Sequence, residues 1–150
     1  MTAPDPTTLS GLELLRAGTL VTADFPHIGR LLGMETLTLE EGKVEFAITT
    51  KPDFGNPLGS LHGGVCATLL DSVMACAVHT TLPAGVGYST LELKVNYIGA
   101  VKTDGVRLVA TGTTIHVGRT TATAEGRVHD ESGRLVAHGT TTCIILRGKP

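Results

Sequence analysis

The sequence predicts an α+β architecture in which a curved antiparallel sheet wraps around a long central helix. Three observations predict it. The 23 Thr, 13 Val and 6 Ile residues fill 42 of 150 positions, and β-branched side chains suit a pleated, half-buried surface. Residues 62 to 81 read as one almost wholly apolar helix, and a helix apolar on nearly every side must be surrounded. Four long β segments then follow with only short breaks between them, which favours antiparallel neighbours.

In order along the chain, Met1 to Thr8 is polar, with two prolines and an Asp, and reads as a flexible tail. Residues 9–150 read as a single domain. The pattern Leu9, Leu12, Leu14, Leu15 predicts a helix ending near Gly18. An irregular connection follows through Asp24, Phe25, Pro26 and His27. Strands are expected over Leu31 to Leu39 and Lys43 to Thr50, joined by a turn at Glu40, Glu41 and Gly42. Pro52 to Ser60, with Gly55, Asn56, Pro57 and Gly59, is a loop. The long helix from His62 contains no Pro or Gly after Gly64 and is stopped by Pro83, Gly85 and Gly87. Tyr88 to Ile98 alternates, with Leu91, Leu93, Val95 and Tyr97 on one face and Thr90, Glu92, Lys94 and Asn96 on the other. Strands over Gly105 to Val117, Arg119 to Asp130 and Leu135 to Leu146 complete the set. They are separated by breaks at Lys102 to Gly105, Gly118 and Glu131 to Gly133.

Composition excludes several function classes. A net charge of -2, from 12 basic and 14 acidic residues, argues against a phosphate-backbone binder. The five aromatics, Phe25, Phe46, Phe54, Tyr88 and Tyr97, are too few for a base-stacking module. No apolar run approaches the roughly 20 residues of a membrane span. The N-terminus lacks the basic start and apolar core of a signal peptide. Cys66, Cys76 and Cys143 are odd in number and lie in apolar stretches, as buried free thiols do in a reducing cytoplasm. His62 with Cys66, and Cys76 with His79, have helical ligand spacing, but no second close pair completes a tetrahedral zinc site, so no metal or other cofactor is expected. His116, His129 and His138 fall within strands. Asn96-Tyr97 is read as structural, with the tyrosine packed and its hydroxyl bonded.

Between Asp53 and Glu92 the only formally charged residue is Asp71. It lies mid-helix among Leu69, Leu70, Val73 and Met74. An unpaired buried carboxylate is costly. Either Asp71 faces solvent or is satisfied by Thr68, Ser72 or nearby backbone, or it is a general base or nucleophile. The helix start, Leu58-Gly59-Ser60-Leu61-His62-Gly63-Gly64, offers unpaired N–H groups and a positive dipole end that glycines leave open to a ligand. Such a start can serve as an oxyanion hole, or simply as a helix entry needed for packing. Gly63 and Asp71 are about 12 Å apart along a helix axis. One carbonyl cannot easily touch both on one helix. If both act on one substrate, two antiparallel copies related by a two-fold axis bring them together, which predicts a homodimer with paired interface sites.

The run Asn56-Pro57-Leu58-Gly59-Ser60-Leu61-His62-Gly63-Gly64-Val65-Cys66-Ala67-Thr68-Leu69-Leu70-Asp71 resembles the signature of PaaI-like hotdog-fold acyl-CoA thioesterases. The resemblance continues through Thr90-Leu91-Glu92-Leu93-Lys94-Val95-Asn96-Tyr97, Gly118-Arg119-Thr120 and the last strand to Leu146. It also takes in Gly29-Arg30-Leu31-Leu32-Gly33-Met34, and covers roughly residues 10 to 146. It implies the hotdog fold and a dimer assembling to a tetramer. It also implies a cytoplasmic enzyme acting on an acyl-CoA of the aryl-acetyl or medium-chain kind. By the same resemblance Gly63 offers its N–H to the thioester carbonyl and Asn56 positions substrate or water. Asp71 of the other subunit is nucleophile or general base, Thr90 orients the attacking water, and His62 shapes the site. Gly118, Arg119 and Thr120 lie near the CoA channel, with Lys102 or Arg147 assisting. Having Asp rather than Glu places the chain beside the phenylacetate-pathway members rather than the hydroxybenzoyl-CoA branch.

Thioester chemistry suits these parts, because one carboxylate and a helix-end oxyanion hole can suffice for so electrophilic a carbonyl. No G-x-S-x-G elbow exists. The alternatives are a non-catalytic acyl-CoA-binding protein and a hotdog dehydratase or hydratase. With so few aromatics, aliphatic and small residues are expected to line the acyl pocket.

Overall fold

A computed structural model of the chain describes residues 4–21 and 26–148. Asp24, Phe25 and the first three residues of the expected tail lie outside the described residues. The elements run α1 (Gly11–Val21), α2 (Ile28–Leu32), β1 (Glu35–Glu40), β2 (Lys43–Thr49), a 3-10 turn (Pro52–Phe54), α3 (Gly63–His79), β3 (Val86–Tyr97), β4 (Arg107–Val117), β5 (Thr121–Asp130) and β6 (Leu135–Arg147). The strands form one sheet in the order β1-β2-β4-β5-β6-β3, antiparallel throughout.

The sheet curves around α3, which packs chiefly on β4 and β5 and also touches β2, β3 and β6. Leu69, Leu70, Val73, Met74, Ala77 and Val78 are completely buried, against Val44, Ile48, Leu108, Ala110 and Val128. Each such aliphatic side chain contributes about 1.5–3 kcal/mol by leaving water. Two paired strand glycines make the close approach possible. Gly112 lies opposite Gly126. A Cβ on Gly112 would overlap the Val73 carbonyl, and one on Gly126 would sit 2.9 Å from Met74 Cγ. The expectation that α3 is covered on every side is met only in part. Within one chain the sheet buries one side, and Thr68, Asp71 and Ser72 on the other stay half-buried.

Four expectations need correction. The strand expected from Leu31 begins only at Glu35, because Ile28–Leu32 is a short helix, capped by His27 Nδ1 accepting from the Arg30 N–H and ended by Gly33 at φ 66°. The first helix runs beyond Gly18 to Val21. Its start is fixed by Ser10 and Glu13, whose carboxylate accepts from the Ser10 N–H and hydroxyl, both at 2.8 Å, a capping-box arrangement. β3 and β4, joined by a short break, are not neighbours: β3 is an edge strand paired with β6. Finally, the regular alternation of β3 is interrupted. A bulge at Leu91, between Thr90 and Glu92, leaves Leu91 58% exposed and turns Thr90 to the inner face. A bulge adds one unpaired residue and reverses the phase of the strand beyond it.

Candidate active site

The middle of α3 carries the carboxylate. Asp71 Oδ1 accepts a hydrogen bond from the Thr90 hydroxyl at 2.9 Å. The neighbouring hydroxyls are turned elsewhere: Thr68 Oγ1 donates to the Gly64 carbonyl and Ser72 Oγ to the Thr68 carbonyl, each at 2.8 Å. The partner of Asp71 therefore comes from β3, not from Thr68 or Ser72, and the Leu91 bulge is what aims Thr90 inward. Asp71 and Thr90 open into a cavity of about 660 Å³ beneath α1 and α2. Leu14, Leu15, Ile28 and Met34 form its apolar wall, and Phe46 and Tyr88 also stand in it. Tyr88 stacks at a tilt on His79, with ring centroids 5.0 Å apart. Burial pushes the Tyr88 phenol up and the Cys76 thiol up to about 12, so both face the cavity as neutral groups.

The start of α3 lies at the other end. His62 is the N-cap, and its Nδ1 accepts from the Gly64 N–H at 2.9 Å. Its carbonyl accepts from the Val65 N–H at 3.0 Å. The Gly63 N–H finds no acceptor among the described residues, as is usual for a donor in the first turn of a helix. Gly63 borders a second cavity of about 290 Å³ with Cys66, Tyr97, Ile98 and Val101. Burial pushes the Cys66 thiol up to about 11. The Tyr97 hydroxyl is bonded, as expected, to the Gly63 carbonyl at 2.8 Å, but its ring is 54% exposed.

Asn56 organises the loop leading into the helix. Its Oδ1 accepts from the Leu58 and Ser60 N–H groups at 2.9 and 3.2 Å, and its Nδ2 donates to Ser60 Oγ at 3.1 Å. This holds Gly59 at φ 84°. Bonds from His62 N–H to the Phe54 carbonyl and from Leu61 N–H to the Val101 carbonyl tie the loop down. Gly118, Arg119 and Thr120 form the turn between β4 and β5, with Arg119 exposed and Arg147 Nε donating to the Arg119 carbonyl at 3.1 Å. The register sets Thr90 beside Cys143, Cys143 beside Ala122 and Ala122 beside Val117. The turn thus lies two strands from Thr90, about 10 Å across the sheet.

The eight expected positions separate into groups. Asp71 and Thr90 meet at one cavity, Asn56, His62 and Gly63 gather at the helix start, and Gly118, Arg119 and Thr120 lie at the sheet end nearest Thr90. Lys102 follows Val101 at the helix-start end, away from Arg119. Among the described residues no three His, Cys, Asp or Glu side chains come together in a metal-binding group. No described helix is long and apolar enough to cross a membrane. Sequence reasoning missed Tyr88 and Met34 as cavity walls, and gave Tyr97 no link to Gly63. That link is a tertiary contact between β3 and the start of α3, which no local pattern records.

A thioesterase superfamily model matches residues 58–137, a span reaching from the helix-start loop into β6. Acyl-coenzyme A thioesterase 13 of Homo sapiens is 31% identical over 115 residues, covering 75% of this chain and 81% of the relative. A 1,4-dihydroxy-2-naphthoyl-CoA hydrolase of Listeria monocytogenes is 26% identical over 116 residues, covering 77% and 93%. Among solved structures, zebra fish thioesterase superfamily member 2 superposes with a TM-score of 0.76 at 28% identity, covering 91% of this chain and 99% of that one. The E. coli PaaI protein gives 0.80 at 20% identity, covering 95% and 99%, a likeness of fold. A long helix laid into a six-stranded antiparallel sheet, with these neighbours, defines a hotdog-fold thioester hydrolase. The chain belongs to the thioesterase superfamily.

Proposed function

We propose that the chain hydrolyses an acyl-CoA thioester to a free acid and CoA at a site shared by two copies. Asp71 of one copy is the nucleophile or general base, and the Gly63 N–H of the other holds the developing oxyanion. The observation that carries this reading is the separation of the two half-sites. The carboxylate with its Thr90 partner opens into one cavity, and the unpaired Gly63 N–H borders another. They lie about 12 Å apart on one helix. The half-buried stripe of α3 and the exposed edge of β3 offer a surface on which a second antiparallel copy could dock.

As general base, Asp71 takes a proton from the water that adds to the thioester carbon; as nucleophile, it adds itself and forms a mixed anhydride that water then cleaves. In either course the carbonyl oxygen carries the negative charge against the helix start until the C–S bond breaks, and the departing CoA thiolate ends with the proton. Thr90, held on Asp71, orients the attacking water. Asn56 still has one amide hydrogen for substrate or water, and His62 shapes the helix start through its cap. The acyl group enters the larger cavity, whose aliphatic wall fits the expectation from composition, although Phe46 and Tyr88 make it less purely aliphatic. This suits an aryl-acetyl or medium-chain group. The Gly118-Arg119-Thr120 turn receives the CoA moiety. The working form is a dimer assembling to a tetramer in the cytoplasm, without a cofactor.

The test is a panel of aryl- and fatty-acyl-CoA substrates with detection of the free thiol, run on the native chain and on Asp71→Ala. Turnover that Asp71→Ala abolishes is expected. Full activity in the variant sinks the mechanism. Tight binding without turnover in the native chain indicates a binding protein instead, and water addition to an enoyl-CoA without thiol release indicates a hydratase.

A further inference from the structure

The helix start presents a physical difficulty. Gly63 and Gly64 leave the N–H groups open to a ligand, but two glycines in succession hold backbone direction poorly, and an oxyanion donor works only if its direction is fixed before reaction. His62 fixes Gly64 from one side. On the other side stands Tyr97. Its ring lies where a Gly63 Cβ would be, 3.0 Å from Cζ and 3.2 Å from Cε1, and its hydroxyl donates to the Gly63 carbonyl at 2.8 Å. The ring supplies the steric contact that glycine lacks, and the hydroxyl pins the Gly63–Gly64 peptide, so that rotation at the Gly63 Cα is limited from both sides.

The strand is built to deliver it. Thr90 and Tyr97 are seven residues apart, and in an unbroken strand an odd spacing sends two side chains to opposite faces. The bulge at Leu91 lies between them and restores them to one face. β3 therefore presents two hydroxyls to α3, one on Asp71 and one on Gly63. We propose that Tyr97 is a positioning residue: by holding the Gly63–Gly64 peptide at its carbonyl and packing against the Gly63 Cα, it restricts the rotations that would swing the preceding His62–Gly63 peptide, which carries the unpaired N–H. This rests on the reading of Gly63 as the oxyanion donor.

Tyr97→Phe removes the hydroxyl, keeps the ring against Gly63, and acts at a half-exposed position where the fold is retained. Two measurements are made on the full chain: steady-state hydrolysis across the acyl-CoA panel, and amide hydrogen exchange by NMR. The expected result is a kcat about tenfold lower, the effect of one lost positioning hydrogen bond, with KM and the pH profile unchanged. Exchange at Gly64 and Val65 rises, while the amides around Asp71 keep their native rates. Unchanged exchange at Gly64 and Val65 overturns the clamp, and so does faster exchange with an unaltered kcat. If the native chain hydrolyses no acyl-CoA at all, the hydrolase reading falls, and the exchange rates alone decide whether Tyr97 holds the helix start.

Discussion

Thr90 is the residue through which β3 reaches the carboxylate. Its hydroxyl donates to the Asp71 carboxylate, while Thr68 and Ser72 donate to helix carbonyls. Thr90→Val keeps the shape and removes the donor. A hydrogen bond to a charged group contributes about 1.5–3 kcal/mol, so a roughly ten- to hundredfold fall in kcat is expected. The melting temperature should stay close to native, because the β-branched replacement suits the strand. An undiminished kcat would remove Thr90 from the site. Asp71 itself was legible in the sequence, since a lone charge in a long apolar stretch stands out. Its partner was not derivable from periodicity, because regular alternation puts Thr90 on the wrong face and a bulge at a leucine carries no sequence mark. Asn56 reads by pattern only as a loop residue and gains its expected site role from the family resemblance, whereas its part in ordering the helix-start loop appears only from its three hydrogen bonds.

At the scale of elements, the seat of α3 depends on missing side chains. Gly112 meets the backbone of Val73 and Met74, which no rotamer change can relieve. Gly112→Ala is expected to destabilise by about 2 kcal/mol or more, lowering the thermal midpoint by more than about 4 °C. Gly18 in α1 has nothing within 4 Å of an added Cβ, so Gly18→Ala should stabilise by about 0.5–1 kcal/mol. Equal melting of the two variants would show that α3 does not rest on Gly112. Isolated glycines inside strand patterns were a readable hint of close approach. The β5–β6 turn adds a pH-dependent element. Asp130 accepts from the Ser132 hydroxyl at 2.6 Å and from Arg134 Nε at 3.0 Å, and these bonds, with those to the Ser132 and Arg134 N–H groups, hold its carboxyl down to about 2 from 3.8. A carboxyl depressed in the folded state stabilises above its unfolded value and loses that contribution as pH falls through the folded one. Melting temperature should therefore drop between about pH 4 and pH 2, and Asp130→Ala should flatten that part of the curve while lowering the neutral-pH midpoint. An unchanged acid slope would exclude the turn.

For the whole molecule, the types of the long elements were readable from the sequence, but the short helix Ile28–Leu32 and the place of β3 in the sheet were not. Short breaks identify β4, β5 and β6 as a meander, whereas β3 crosses to the far side of β6, a choice made by packing around α3 that no local signal records. The same long-range arrangement sets the geometry of the proposed shared site. Gly63 and Asp71 border different cavities of one chain, so the proposed site draws them from two copies, and a mixture of variants can test this. Asp71→Asn keeps the helix start, and Gly63→Val, whose side chain would press on the Tyr97 ring, keeps the carboxylate. In a mixed dimer one site combines the intact Gly63 of the first variant with the intact Asp71 of the second, while the other site carries both changes. Unfolding and refolding the two at equal concentration makes about half of all dimers mixed, each with one working site, so activity should return to about one quarter of native. Each variant refolded alone should remain inactive. If the site lay within a single chain, every chain in the mixture would still carry one lesion and no activity would return. Activity in a monodisperse monomer would refute the shared site by the same logic, because a monomer has no second helix to bring Gly63 to Asp71.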